Sequence, residues 1–531
     1  MKISFRNCRN KYVILIYILG LCWIQLQAKT IFLSPLGNDQ NDGLTTQKPK
    51  KTPQNAFDLI EPGDTLVFLA GEYSDIKQEA ILKITKSGSS EKWITIKNYK
   101  KDKATLYSYK TAAILLQGAS FVQIIGLDIT RDPKTQKLID QSSSPSAVAT
   151  KGYGIYSEKS NDEIISSNIK IQNCKIYNCM GSGIYLTDIH HFEIKKNEIY
   201  NNGYFNFNSN SGIKLTITNS AESSEDYQNF IIGNRIYFNR KVEVLQKEED
   251  CEVNGFGAGI NIRKSDHIES HINPSKVKNK TLVINNLVYS NGGNGINLYN
   301  IKNVDVVNNT LYENNETNHP YCAEIHLKYA SFCAVYNNII YARETRKASY
   351  YKDASELYFK TNLYRPGTKF ENGQGDIVAD PKFYSVESYS NIWNFGLQIE
   401  SPAIDRGTNL ELQNEDFLGN SRKTGKFIDI GAIEFQKPIV KKDIKLENQF
   451  ISWNMSYDNN KKIYHISNLN KVAFYYTIYD LMSRPVKKLS YKDYNALFAL
   501  EIPIEDLPRG YYFVKVYTDK TYLITKFYKP D

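Results

Sequence analysis

Two short patterns of apolar and polar positions alternate along the middle of the chain. In its full form the first pattern has two asparagines five residues apart, with an apolar residue and a tyrosine between them. Its six copies begin at Ile171, Ile194, Ile231, Val283, Val306 and Val335. The shortest interval, from Asn286 to Asn309, is 23 residues, which is about the length of one turn of a β-solenoid.

The second pattern is a small residue followed by alternating apolar and polar positions, as in Ile213-Lys214-Leu215. Its copies begin at Gly154, Gly183, Gly212, Gly259, Gly295 and Glu324. A two-residue period is typical of a half-buried strand. Two or three such strands per repeat predict a parallel β-solenoid, with longer intervals as loop insertions. The repeated asparagines are then architectural, because stacked amides satisfy turn backbone groups.

The polar residues of the second pattern face outward, because the apolar residues beside them face the core. On successive rungs they form two columns. The first column is Tyr156, Tyr185, Lys214, Asn261, Asn297 and His326, and the second is Thr187, Thr216, Arg263, Tyr299 and Lys328. Rungs lie ~4.8 Å apart, so neighbours in a column reach one bound sugar. Lys214 and Arg263 are predicted to be diagonal neighbours within roughly 8 Å.

Composition places the 531-residue chain among globular proteins, with 41% hydrophobic and 23% charged residues. The formal net charge is +9, and residues 1–28 contain four basic and no acidic residues. Together with the apolar run Tyr12–Ile24, this predicts a cleaved export signal over residues 1–28. The remaining balance, 62 − 57 = +5, argues against a nucleic-acid binder and suits a locally basic groove for an acidic polymer.

Five cysteines follow the signal, and an odd number in an exported chain leaves at least one thiol unpaired. They are Cys174, Cys179, Cys251, Cys322 and Cys333. None has the spacing of zinc ligands, so we expect buried apolar cysteines and no disulfide framework. His190 and His191 are neighbours in a strand and are predicted to point to opposite faces, which argues against a shared metal ion.

Both ends of the repeat region carry further motifs. Thr52 and Pro53 begin a short predicted helix that is expected to plug the core with Ala56, Leu59 and Ile60. The other motifs are Phe32-Leu33-Ser34-Pro35, Pro62-Gly63-Asp64-Thr65, Ala70-Gly71-Glu72-Tyr73, Asp380-Pro381, Ser401-Pro402-Ala403-Ile404-Asp405 and Asp429-Ile430-Gly431-Ala432.

With these motifs, residues 30–436 resemble exported right-handed parallel β-helix proteins, a group that includes many pectate-lyase-like polysaccharide enzymes. The resemblance implies an all-β chain with a right-handed parallel β-helix over residues 29–436. It also implies that the last three motifs belong to a segment that closes the C-terminal end of the helix. The group contains lyases, hydrolases, epimerases and binding proteins, so the fold alone does not give the chemistry.

After a predicted linker over residues 437–445, strand spacing in residues 446–531 suits a small antiparallel β-sandwich. The segment resembles the C-terminal sorting domain of the type IX secretion system. The motifs are Asp480-Leu481-x-x-Arg484 and Leu507-Pro508-x-Gly510-x-Tyr512. The resemblance implies export to the cell surface or the medium, with the outer-membrane secretion machinery as a partner. An ordinary accessory β-sandwich is the alternative.

The outward columns suit a polysaccharide lyase that cleaves an acidic, uronate-containing glycan by β-elimination. This reaction needs a base for the proton beside the carboxylate, a group that neutralises the carboxylate, and an acid for the leaving oxygen. We expect Lys214 as the base, Arg263 and Asn261 as neutralising groups, and His326 or Tyr185 as the acid. The Arg263 guanidinium is expected to lower the pKa of Lys214. The expected substrate-binding residues are Tyr156, Tyr185, Asn261, Asn297, Tyr299 and Lys328.

We expect the cluster of Lys214, Asn261, Arg263 and His326 to be accessible to solvent. Insertions at 217–230 and 240–256 are predicted to wall the same groove. The acidic run Glu248–Glu252 in the second insertion would suit Ca²⁺, which prefers oxygen ligands. No other metal or cofactor is expected, and the chain is expected to be a monomer that acts on a polysaccharide.

Two other functions stay open. A glycoside hydrolase needs two carboxylates facing each other across the groove. Asp188, Glu324 and Asp250 are the candidates, but none of them pairs with another by column. A non-catalytic surface protein would instead bind glycans by stacking sugar rings on Tyr156, Tyr185 and Tyr299.

Overall fold

The computed structural model describes residues 28–436 and parts of residues 454–529. The gaps in the first range are residues 76, 101, 133–150, 205–209, 219–225, 241–256, 266–278, 318, 367–372 and 387–393. The described parts of the second are residues 454–458, 463–467, 473–480, 485–490, 499–518 and 522–529. The predicted export signal (Ala28 aside), the linker, the acidic run, half of the first insertion and nearly all of the second lie outside the described residues. The chain divides into two compact units, the first made of residues 1–386 and 394–437 and the second of residues 387–393 and 438–531.

The first unit is a parallel β-helix with three long sheets. Sheet 1 contains β4 Ala80–Ile84, β7 Ala112–Gln117, β10 Tyr153–Glu158, β13 Ile184–Lys195, β15 Ile213–Ile217, β18 Ile260–Lys264, β21 Ile296–Tyr299, β24 Ala323–Lys328 and β27 Lys347–Lys352. Sheet 2 contains β1 Thr30–Leu33, β2 Thr65–Phe68, β5 Ile94–Asn98, β8 Ser120–Ile125, β11 Ser167–Gln172, the end of β13, β16 Tyr227–Ile232, β19 Lys280–Ile284, β22 Val304–Val307, β25 Ser331–Tyr336 and β28 Ser355–Lys360. The long strand β13 bends from sheet 1 into sheet 2.

Sheet 3 completes each turn and lies next after sheet 2 along the chain. It contains β3 Gly71–Tyr73, β6 Ala104–Ser108, β9 Asp128–Arg131, β12 Lys175–Tyr177, β14 Glu198–Tyr200, β17 Arg235–Tyr237, β20 Leu287–Tyr289, β23 Thr310–Tyr312, β26 Ile339–Tyr341, β29 Leu363–Tyr364 and β30 Ile377–Val378. A small antiparallel pair, β31 Phe383–Ser385 and β32 Asn394–Leu397, follows. The predicted parallel β-helix is thereby confirmed.

The apolar residues of the repeats form one continuous core. In sheet 1, Ile213, Ile260, Ile296 and Ile325 pair on successive strands and are fully buried. Each such side chain contributes about 1.5–3 kcal/mol when it leaves water. Because a shift by one residue would move this whole set to the outside, the stack fixes which residues face outward.

Two amide ladders run along the turns on either side of sheet 3, as predicted. Asn286 donates from its backbone N and from Nδ2 to Oδ1 of Asn309, both at 2.9 Å. The first ladder continues through Cys174, Asn197, Asn234, Asn286, Asn309, Asn338 and Asn362. The second runs through Cys179, Asn202, Asn239, Asn291 and Asn314. Cys174, Cys179 and Cys333 are buried free thiols, as expected, whereas Cys322 is disulfide-bonded.

Breaking one ladder position should weaken the solenoid. The Asn309→Ala variant removes the acceptor for two donors of Asn286 and the donors to the carbonyl of Val283 and to Asn338. Because all these groups are buried, we expect a loss of about 2–4 kcal/mol in unfolding free energy. Thermal unfolding measures the change, with Asn161→Ala in an exposed turn as the control. An equal Tm for the two variants would contradict an architectural role of the ladder.

The ends of the β-helix differ in part from expectation. Helix α1, Pro53–Phe57, begins as predicted after Thr52, whose hydroxyl bonds to Asp39 instead of capping the helix. Its plug consists of Ala56, Phe57 and Ile60, while Leu59 is 39% exposed. Leu59 was therefore wrongly assigned to the apolar face, because the helix is only five residues long.

The segment expected to close the C-terminal end packs instead along the side of the helix. Nδ2 of Asn308 donates to the carbonyls of Asp429 and Gly431 at 2.9 and 3.2 Å. Leu410 and Leu412 cover an apolar patch on the outer face of sheet 2. The patch consists of Ile232, Leu282, Ile284 and Val307. Outward apolar residues on these strands thus explain why the segment lies across several rungs.

The second unit contains two antiparallel sheets. One has β33 Asn454–Asp458, β34 Ile463–Ser467 and β37 Ala499–Pro503, and the other has β35 Ala473–Asp480, β36 Pro485–Ser490, β38 Gly510–Thr518 and β39 Tyr522–Lys529. Leu507 and Tyr512 lie in its apolar core with Tyr476 and Phe527. The Tyr512 hydroxyl donates to the carbonyl of Pro508 at 2.7 Å. The motif that begins at Leu507 therefore has a structural role within this unit.

Candidate active site

Backbone pairing aligns both predicted columns on the outer face of sheet 1, except at Thr187, where the register shifts between Leu186 and Ile189. In the first column, Tyr185 pairs with Lys214, which pairs with Asn261. Asn261 pairs with Asn297, and Asn297 pairs with His326. Tyr156 precedes Tyr185 in the same ladder.

The second column lies two residues further along each strand. Thr216 pairs with Arg263, Arg263 with Tyr299, and Tyr299 with Lys328. Since Lys214 pairs with Asn261, the diagonal arrangement of Lys214 and Arg263 follows from the register.

The first column is more buried than the sequence suggests. Lys214 is 6% exposed, and Asn261, Asn297 and His326 are 0% exposed. The expectation of a solvent-accessible cluster was therefore wrong. Alternation distinguishes inward from outward residues but does not show whether an outward face is covered. Arg263 keeps part of its surface exposed, as do Tyr156, Tyr185 and Tyr299.

Lys214 has the environment of a candidate base. Its Nζ lies 4.7 Å from the centroid of the Tyr185 ring. Burial, and then the charge of Arg263, lower the pKa of Lys214 from 10.5 to about 7. The direction agrees with the sequence prediction, but burial, rather than the guanidinium, is the larger cause. A lysine in this environment is partly neutral near pH 7 and can accept a proton.

A chain of buried amides orients His326. Nδ2 of Asn297 donates to Oδ1 of Asn261 at 3.1 Å, so Oδ1 of Asn297 is left as an acceptor. Nδ1 of His326 lies 2.7 Å from that oxygen and therefore carries the hydrogen. The Tyr350 ring stacks on the imidazole at 5.2 Å and 14°. Sequence reasoning missed Tyr350, although the alternation of Lys347–Lys352 continues the column by one rung.

The rung spacing separates two of the proposed catalytic roles. Asn261 and Asn297 lie between Lys214 and His326 in the column, so three rungs, roughly 14 Å, separate the two backbones. Tyr185 is on the rung next to Lys214. Of the two candidate acids, Tyr185 is therefore the better placed for a bond that Lys214 attacks. His326 is fully buried between Asn297 and Tyr350 and is therefore not placed to act on the same bond.

The two described carboxylates considered for a hydrolase are engaged elsewhere. Asp188 accepts a hydrogen bond from the Ser265 hydroxyl and lies 4.0 Å from Nζ of Lys159. Glu324 points into the helix and ends the second amide ladder. Its two oxygens accept from the backbone N and Nδ2 of Asn314 at 2.8 and 2.5 Å. Neither residue forms a carboxylate pair across the outer face.

Glu324 compensates for a break in the repeat. Arg343 occupies the next asparagine position of the second ladder, but its Nε donates outward to the carbonyl of Glu313 at 2.9 Å. On the same rung Glu324 replaces the usual glycine, and its carboxylate takes the place of the missing amide oxygen. Burial raises the pKa of Glu324 to about 8. The loss of asparagine at Arg343 and the gain of a carboxylate at Glu324 therefore compensate for each other.

This pairing predicts an unusual pH dependence. The folded-state pKa near 8 lies above the ordinary value of 4.5, so stabilisation is complete below pH 4.5 and is lost as the pH rises through 8. The double variant Glu324→Gly/Arg343→Asn restores the repeat and removes this group. We expect wild-type Tm to fall by about 3–5 °C relative to the double variant between pH 5 and pH 9. Thermal scans at both pH values measure the difference; parallel Tm curves would contradict this role of Glu324.

The histidine pair was wrongly predicted to diverge. His191 has a φ of +53°, and this left-handed residue brings Nδ1 of His190 and Nδ1 of His191 within 2.8 Å. Burial lowers the pKa of His190 to about 4. Among the described residues, no group of three or more His, Cys, Asp or Glu side chains is arranged to hold a metal ion. No helix in that part of the chain is long and apolar enough to cross a membrane.

Comparison with known proteins separates the two units. Residues 459–529 match the family model for the secretion system C-terminal sorting domain. The C-terminal segment is therefore a type IX sorting domain, and the protein is exported to the cell surface or the medium, as the Leu507 motif predicts. The comparison with curated proteins found no match.

Solved structures with a similar fold include carbohydrate-active proteins of low identity. Pectate lyase Pel9A is 12% identical, with 77% of this chain and 96% of that chain covered and a TM-score of 0.43. A rhamnogalacturonan lyase is 16% identical, with 70% and 97% covered and a TM-score of 0.39. A glycoside hydrolase is 9% identical, with 66% and 96% covered and a TM-score of 0.44. The β-helix assignment rests on the strand pairing described above.

Proposed function

We propose that the first unit is an exported polysaccharide lyase that acts on a uronate-containing glycan. The observation that carries the proposal is the position of Lys214, which is buried in a first column without carboxylates and lies diagonal to Arg263 of the second column, an environment that lowers its pKa. A base next to a guanidinium suits removal of a proton beside an anionic carboxylate. It does not suit glycoside hydrolysis, which needs two carboxylic groups.

In the proposed reaction the neutral amine of Lys214 accepts the proton from the carbon that bears the uronate carboxylate. Arg263, on the adjacent rung, neutralises the charge that develops on that carboxylate, with Asn261 as a further donor. The electron pair of the broken C–H bond forms a C=C bond, and the bond to the leaving oxygen breaks. Tyr185 gives its hydroxyl proton to that oxygen. Tyr156 and Tyr299, which keep part of their surface exposed, bind the adjoining sugars.

An absorbance assay on uronate polymers tests the proposal. The purified protein is incubated with polygalacturonate, rhamnogalacturonan and alginate, in parallel with added Ca²⁺ and with chelator. At least one polymer should yield products with the ultraviolet absorbance of an unsaturated uronate. Release of reducing ends without that absorbance would contradict a lyase and favour a hydrolase. Binding without any cleavage would favour a surface glycan-binding protein.

A further inference from the structure

Two aromatic residues occupy backbone positions that suit asparagine. At the corner between sheets 1 and 2, Asn300 and Asn303 have φ values of +47° and +59°. On the next rung the equivalent residues are Tyr329 and Phe332, at +52° and +54°. Asparagine tolerates the left-handed region, whereas bulky side chains are disfavoured there. The corner therefore bears a conformational cost on this rung that the preceding rung avoids.

Packing offsets little of that cost, because about half of each side chain stays exposed even though Nζ of Lys328 lies 5.3 Å from the Tyr329 centroid. Tyr329 is 47% exposed and Phe332 is 51% exposed. Two other phenylalanines with positive φ, Phe121 and Phe238, are half-buried and each packs against another ring. Phe121 lies against Trp93 at 5.6 Å, and Phe238 against Tyr237 at 5.4 Å. Strained and exposed aromatic residues point to a ligand rather than to a contribution to folding.

Tyr329 lies beside the second column, next to Lys328 in sequence. The Tyr329 ring meets that of Tyr299 edge to face at 5.9 Å. Tyr299 follows Arg263 in the second column, and Tyr329 follows Lys328 in sequence. Tyr329 thus lies on the His326 rung, roughly 14 Å along the helix axis from the Lys214 rung. A glycan held at Lys214 reaches this corner within a few sugar units.

We propose that Tyr299, Tyr329 and Phe332 form an aromatic platform that binds sugar rings of the anionic glycan, away from the cleaved bond. This inference rests on the proposed function for the identity of the glycan. Aromatic side chains offer an apolar surface to the C–H faces of sugars and lose little entropy on binding.

Charges near the platform suit an anionic chain that runs towards Lys214. Exposed Lys302 lies between Asn300 and Asn303 on the preceding rung, towards Lys214. On the following rung, exposed Asp353 and Glu356 occupy the positions equivalent to Tyr329 and Phe332. The carboxylates repel an anionic chain and so end the platform on that side.

Substitution by asparagine separates binding from folding, because the two effects have opposite signs. In Tyr329→Asn and Phe332→Asn, the corner regains the residue type of the preceding rung. We expect each variant to raise Tm by about 1–2 °C and to weaken binding of polygalacturonate or alginate about fivefold. Affinity is measured by retardation in gels that contain the polymer. Tyr384→Asn is the matched control, because Tyr384 is 59% exposed but lies in β31, outside the platform.

A raised Tm with unchanged affinity for both polymers would overturn the platform. Sedimentation tests whether the patch instead joins two copies of the chain. If the same variants lose a concentration-dependent dimer while their affinity for the polymers stays unchanged, the patch belongs to a dimer interface and the platform is also overturned. Full lyase activity in Lys214→Ala would refute the catalytic proposal alone. The platform would still stand if the asparagine variants lost affinity.

Discussion

Replacement of Lys214 by alanine is expected to reduce release of unsaturated uronate at least about 10³-fold, with less than a tenfold change in affinity for the polymer. The amine is the proposed acceptor of the proton, and no second base lies on the adjacent rungs of the first column. These rungs carry Tyr185 and Asn261. The matched control is Lys170→Ala on sheet 2, where Nζ lies 4.5 Å from the Trp93 centroid. It should keep full activity.

The pH profile should carry the signature of the same group. With the pKa of Lys214 at about 7, the fraction of neutral amine rises with pH through 7. The kcat/KM of the free enzyme should therefore increase up to about pH 7–8 and then level off. Arg263 lowers the pKa of Lys214, so Arg263→Gln should move this limb to higher pH and also reduce turnover. Full activity of Lys214→Ala, or a limb that Arg263→Gln leaves in place, would remove Lys214 from the base role.

Deletion of residues 437–531 is expected to abolish export, with more than about nine-tenths of the truncated protein retained in the periplasm. The first unit has its own continuous core, and the second has a separate core around Tyr476 and Val514. The shortened chain should therefore fold and remain active when released from cells. The measurement is fractionation of a host with type IX secretion into periplasm, outer membrane and medium.

Two point variants show whether an export defect of the deletion comes from loss of the C-terminal domain. Lys214→Ala in the full chain should be exported normally, since its change lies in the first unit. Tyr512→Ala removes a core side chain and the hydrogen bond to Pro508, so it should reproduce much of the export defect. Normal export of the truncated chain would contradict the assignment of a sorting function to this domain in this protein.

The repeat register was predictable from the sequence because it follows from volume and polarity. Inward isoleucines such as Ile213 and Ile260 tolerate no one-residue slip, so the pairing of Lys214 with Asn261 follows directly. The asparagine ladders were predictable for the same reason, since a buried amide needs partners on both neighbouring rungs. The sorting domain was recognisable from core residues such as Leu507 and Tyr512.

Other features depend on contacts that no periodic pattern encodes. The burial of Lys214 depends on which groups cover the outer face of sheet 1, and the alternation of apolar and polar residues carries no information about that cover. Glu324 was considered as a groove carboxylate because it lies near a strand end, and its bonds to Asn314 show instead that it replaces a ladder amide. The convergence of His190 and His191 follows from one left-handed residue, which the sequence does not mark.

The most direct test of the central claim is the oxygen content of the products formed in water enriched in ¹⁸O. The best substrate of the uronate panel is digested, and the oligosaccharides are analysed by mass spectrometry. Elimination breaks the glycosidic bond without adding water, so we predict unsaturated products that carry no ¹⁸O from bond cleavage. Hydrolysis would instead give saturated products, and the two fragments from each cleaved bond would together gain one labelled water. That result would contradict the assignment of Lys214 and Arg263 to a lyase.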